Sequence, residues 1–93
     1  MGETEKIIIT VLGHDQVGII AKISAILAQN DINILDISQT ILQGFFTMVM
    51  VADIAGSKLD VGDLKKLLQE QGTAMNLEIA VQHEDIFKFM HRI

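Results

Sequence analysis

The residues of this 93-residue chain best suited to chemistry lie together in Gly13-His14-Asp15-Gln16-Val17-Gly18-Ile19, between an apolar run, Ile7 to Leu12, and an apolar-periodic one, Ile19 to Leu27. That pattern reads as a strand-to-helix turn. Two glycines let the backbone bend tightly, and a helix opening at Gly18 leaves its first N–H groups without intrahelical partners. Such donors favour an anion, while the carboxylate of Asp15 favours a cation. An amino acid carries both charges on adjacent atoms, so the turn suits a zwitterion better than a phosphate. Each residue also has a structural reading. Asp15 can serve as the helix N-cap, accepting the Gly18 N–H; the glycines can serve backbone geometry alone; His14 can be an exposed loop residue.

Other chemistry is sparse. The turn has neither the third glycine of a dinucleotide fingerprint nor the Gly-Lys-Ser/Thr of a phosphate loop. The chain has no cysteine, which removes disulfides, thiolate nucleophiles and zinc-thiolate sites. His83 and His91 are eight residues apart, about 80° out of line on a helix, so they do not form a metal pair and read as solvated helix-end residues. Ser24, Ser38 and Ser57 fall in helix, strand and cap contexts, with no nucleophile elbow. The expectation is a non-enzyme without metal or cofactor.

The formal charge of −5, with basic residues scattered except for Lys65-Lys66, and the lack of Tyr and Trp argue against nucleic acid as a partner. The acidic start Met-Gly-Glu-Thr-Glu-Lys is unlike a signal peptide. The longest charge-free stretch, Ile37 to Ala52, is interrupted by polar residues and too short to span a membrane. A cytoplasmic protein without membrane partners is expected.

The elements that must position the turn follow from periodicity. Lys6 to Leu12 reads as a central strand buried on both faces, and Gly18 to Asn30 as an amphipathic helix burying Ile19, Ile20, Ile23, Ile26 and Leu27. Asn33 to Leu42 and Phe45 to Ile54 read as a hairpin turned by Gln43-Gly44. Ser57 or Asp60 can cap a second helix carrying Leu64, Leu67 and Leu68 and stopping at Gly72. Met75, Leu77, Ile79 and Val81 alternate with polar residues as a fourth strand. The fold class expected is α+β, a ferredoxin-like βαββαβ domain with a four-stranded antiparallel sheet and two helices on one face.

One domain fills residues 1–93, with a core over about 6–82 and a short helical extension over 83–93. Helices cover only one side of the sheet, so a second subunit or the extension must cover the other; a homodimer is the simpler expectation. The extension places Ile86, Phe87, Met90 and Ile93 on one side and Asp85, Lys88 and Arg92 on the other. Asp36, Ser38, Gln39 and Thr40 read as the wet side of strand two or the lining of a polar cleft, and Met48-Val49-Met50 reads as core filler.

The element order, the Gly13 to Ile19 turn and the segment Asn30-Asp31-Ile32-Asn33-Ile34 resemble the ACT domain, a regulatory module that binds amino acids. The stretch Asn33 to Thr40 followed by Phe46-Thr47-Met48 is similar to a small single-domain branch of that family, of uncharacterised function. The resemblance implies a homodimer with a small-molecule effector between subunits. Carried over by motif, it is held by Asp15, Gln16, Val17, Gly18 and Ile19 of the turn and by Asn33 at the start of strand two, and Gly13 and His14 of the same turn complete the candidate ligand site. A protein partner would read out the effector; a ligand-free interaction module is the alternative. Where many members have Pro before the second glycine, this chain has Val17.

Overall fold

The computed structural model describes residues 4–14 and 16–84. The elements follow in the order β1 (Lys6–His14), α1 (Ile19–Gln29), β2 (Asn33–Leu42), β3 (Phe45–Asp53), α2 (Val61–Met75) and β4 (Leu77–His83). The strands form one antiparallel sheet in the order β2-β3-β1-β4, and both helices pack on the same face of it. This is the expected ferredoxin-like α+β arrangement. The helical extension expected over residues 83–93 begins with His83 in β4, and 85–93 lie outside the described residues, as does Asp15.

The core follows from the two periodicities. Ile7, Ile9 and Val11 of β1 stand opposite Ala52, Met50 and Met48 of β3, and all six are fully buried. Ile23, Leu27, Leu64 and Leu68 close over them at helical spacing, also fully buried. The Met residues are therefore core, as expected. Strand β1 is central, yet only its helix-side residues are sealed, because Thr10 and Leu12 on the other side are exposed. The expectation of burial on both faces fails in the single chain because both helices lie on the same side.

Turns and caps depart from the sequence reading in informative places. The hairpin turn uses positive φ at both Gln43 (51°) and Gly44 (84°), the mirror-image turn whose twist matches that of paired strands. Helix α2 is capped by Asp60, whose Oδ1 accepts the Asp63 N–H at 2.8 Å, while Ser57 Oγ accepts the Leu59 N–H in the loop before it. Gly72 does not stop this helix. The helix continues through Met75 to a left-handed Asn76, so Met75 and Asn76 belong to helix and cap rather than to β4. Gly72 is there because a β-carbon at that position would stand 2.7 Å from the Leu77 carbonyl oxygen of the adjoining strand.

Helix α1 ends at Asn30, whose side chain donates to the Ile26 carbonyl at 2.9 Å. Lys58 reaches the same end, with Nζ 3.5 Å from the Gln29 carbonyl and 3.8 Å from Asp31. A cation there complements the negative pole of the helix. His83 is no helix-end residue: it ends β4, with Nε2 3.1 Å from Glu5 Oε2. His91 lies outside the described residues.

Candidate functional site

The turn splits into two parts. Gly13 and His14 are the last residues of β1, paired with Phe46 and Phe45 of β3, and the His14 and Phe45 rings stack with centroids 4.9 Å apart. His14 is thus tied to the sheet face away from the helices. Gly13 is required by close approach, since a β-carbon would stand 2.6 Å from Leu77 Cδ2 and 3.2 Å from the Asn76 carbonyl. Gln16 anchors the turn to the end of α2, donating from Nε2 to the Met75 carbonyl at 2.8 Å. Val17 is fully exposed at the tip.

Gly18 occupies the N-cap position of α1, in the left-handed region at φ 93°, and no side chain among the described residues caps the helix. The cap position expected at Asp15 falls instead on Gly18, because the helix begins at Ile19; Asp15 itself lies outside the described residues. The Lys22 N–H closes the first turn on the Gly18 carbonyl, and no acidic residue stands in that turn. The preceding N–H groups of α1 have no intrahelical partner, and the first turn itself carries no charge to complement the helix dipole. Helix α2 is the contrast, because Asp60 and Asp63 already place two carboxylates at its start.

The N-terminal end of α1 opens onto a cleft of about 280 Å³ between the helix and the β2–β3 hairpin, lined by Gln16, Gly18, Ile19, Ile20, Ala21, Gln39, Ile41 and Phe46. It combines backbone donors, two side-chain amides and apolar walls. A small molecule with one anionic end fits that combination, since binding clefts set a few polar groups in mostly apolar surroundings. A larger cleft of about 600 Å³ lies beside Glu5, Ser57, Lys58 and Asp60 at the start of α2. It is the poorer anion site despite its size, because Asp60 already takes the helix N-terminus there.

Gln39, Ile41, Phe46, Ile20 and Ala21 were not singled out from the sequence as site residues. Gln39 was grouped with Asp36, Ser38 and Thr40, but these do not share a face. Gln39 stands opposite buried Met48, on the helix side, whereas Asp36, Ser38 and Thr40 stand opposite Val51, Val49 and Thr47 on the other. A register shift between Ile34 and Asp36 sets that phase. Among the described residues, no group of three or more His, Cys, Asp or Glu is placed to hold a metal ion.

Asn33 is not brought to the turn within one chain. Strands β1 and β2 both run antiparallel to β3, so Asn33, opposite Asp53, lies at the Lys6 end of the sheet and the turn at the other. The two are separated by roughly 26 Å of strand. Strand β2 is nevertheless unusual. It is an edge strand in which every residue but Ile34 is exposed, including Leu35, Ile37, Ile41 and Leu42.

A small βαββαβ domain with a glycine at the cap position of a helix over a polar-apolar cleft has the makings of a small-effector module. The model of the ACT domain family matches residues 5–82, and the chain belongs to that family. It is 50% identical over 88 residues to a UPF0237 protein of Methanocaldococcus jannaschii, covering 95% of this chain and 98% of the relative. Among solved structures it is similar to an ACT domain protein from Streptococcus pneumoniae, at 39% identity and a TM-score of 0.80, covering 91% of this chain and 96% of that one. A formyltetrahydrofolate deformylase from Pseudomonas syringae pv. tomato shares the fold alone, with TM-score 0.82 at 18% identity, over 88% of this chain and 28% of the deformylase. ACT domains generally form regulatory ligand-binding modules and often dimerise. Among the described residues, no helix is long and apolar enough to cross a membrane.

Proposed function

We propose that the protein is a homodimeric regulatory module, not an enzyme, that binds an amino acid or a similar small zwitterion at the start of α1. The observation that carries this is the N-terminus of α1 facing a cleft, with glycine at its cap position and no acid in its first turn, in a molecule whose other helix is capped by Asp60 and has Asp63 in its first turn. The ligand carboxylate takes the Ile19 to Ala21 N–H groups. Asp15, adjacent in sequence to Gln16, takes the ammonium group, and Ile41 and Phe46 line the side-chain end of the cleft.

The exposed β2 edge supports the dimer. Two copies paired antiparallel through β2 would satisfy its open backbone groups. That pairing would bring Asn33 of the partner subunit towards the Leu42 end, where the turn lies, and complete the site across the interface. Ligand would then favour one dimer geometry, which a protein partner reads. The exposed edge also suits a ligand-free interaction module. Calorimetry and thermal shift against the twenty amino acids, on a sample shown to be dimeric by light scattering, separate the two. Saturable binding supports the regulatory reading, and silence across the panel leaves the interaction module.

A further inference from the structure

Two elements line the cleft at the start of α1, and they differ in chemistry. The helix brings backbone N–H groups from Gly18 onwards, whereas the β2–β3 hairpin brings mainly apolar surface in Ile41 and Phe46. We propose that the ligand is an amino acid with an aliphatic side chain, and that Ile41 sets this specificity. The inference rests on the amino-acid site proposed above and names what that site selects.

Charge comes first. Among the described residues, none that line this cleft is ionisable, whereas the larger cleft at the start of α2 is lined by Glu5, Lys58 and Asp60. A charged side chain entering beside Ile41 and Phe46 would shed water and gain no counter-charge from the walls.

The exposure of the walls then points to Ile41. Ile41 and Phe46 are partners across the hairpin and stand on its helix side. Phe46 is 3% exposed and Ile19 2%, so both are held by the core and form a fixed floor. Ile41 is 58% exposed, an apolar wall with most of its surface in water, and a ligand side chain that covers it removes that surface from solvent. Each side-chain carbon so buried improves affinity by roughly fourfold.

Size limits the class further. A cleft of about 280 Å³ falls at the bottom of the range for small-molecule sites, which start near roughly 300 Å³, so it takes one small molecule. The rival occupant is a hydroxy amino acid bonded to the Gln39 amide. Gln39 is exposed on its strand and keeps its hydration, so it gains little from a ligand hydroxyl, whereas Ile41 gains from a methyl group.

The test is calorimetric titration of the full chain with alanine, valine, leucine, threonine, aspartate and lysine. Affinity should rise roughly fourfold per carbon from alanine through valine to leucine. Valine should bind more tightly than threonine, and aspartate and lysine should bind most weakly. Threonine above valine, or a charged amino acid above leucine, overturns this inference while leaving the amino-acid site standing; flat titrations with all six remove both. Ile41→Ala, checked by light scattering for unchanged assembly, should lose roughly tenfold for leucine and about twofold or less for alanine. A merely structural role would weaken both ligands alike, so an equal loss, or no loss for leucine, overturns the role of Ile41.

Discussion

Ala21→Glu separates the effect of the α1 terminus on stability from its effect on binding. Ala21 is the third residue of α1, exposed, and part of the cleft wall. A carboxylate in an acid-free first turn stabilises the helix by about 0.3–1 kcal/mol. For a domain of this size that raises the melting temperature by roughly 1–8 °C. The same charge would stand about 5 Å from a ligand carboxylate held on those N–H groups, a repulsion of about 0.8 kcal/mol in a water-like dielectric and about 3 kcal/mol at an effective constant of 20. Affinity should therefore fall by between roughly fourfold and two-hundredfold. Ala21→Gln, similar in shape but uncharged, should do neither strongly. The assay is thermal unfolding paired with calorimetric titration of whichever amino acid binds. A variant that is more stable but binds with unchanged affinity would show that the ligand does not use this helix end.

Other perturbations test the surrounding frame. Gly72→Ala gains about 1 kcal/mol of helix propensity, but its β-carbon would meet the Leu77 carbonyl at 2.7 Å; overpacking of that kind costs about 1–3 kcal/mol, so urea unfolding should show net destabilisation. The Glu5 and Ala55 N–H groups, each 3.0 Å from Asp53 Oδ1, hold that carboxyl below its ordinary range. Its stabilising contribution is therefore present above a pH of about 4 and is lost as pH falls through the lowered value. The gap in melting temperature between wild type and Asp53→Asn should accordingly be largest near neutrality and shrink in acid; a gap independent of pH would contradict this. Ile37→Lys, a charge on the exposed edge strand, should convert dimer to monomer by light scattering and weaken amino-acid binding with it.

What could be read from the sequence depended on whether the signal was local. Strand β2 begins and ends at the residues its pattern marks, because Asn33 and the Gln43-Gly44 turn are punctuation visible in the chain. Gly72 was misread because a glycine near a helix end has two explanations, and the decisive one, the Leu77 carbonyl, lies five residues on and across a turn. The cleft was half legible. Gln16, Gly18 and Ile19 belong to the turn, but Gln39, Ile41 and Phe46 reach it only through the register of the hairpin and the shift at Leu35, which periodicity does not reveal. Asn33 illustrates the same limit from the other direction. Only the proposed second subunit would bring it beside the turn, since the strand directions of a single chain hold the two apart.

The most direct test is a calorimetric titration of the dimeric protein with the twenty amino acids, repeated for Gly18→Val. The Gly18 position is open, with nothing within 4 Å of an added β-carbon, so the variant strains the left-handed cap and crowds the cleft mouth without disturbing the core. The account predicts saturable binding of at least one amino acid by the wild type and its loss in a variant that remains folded. Flat titrations throughout, or equal affinity in both proteins, would contradict it.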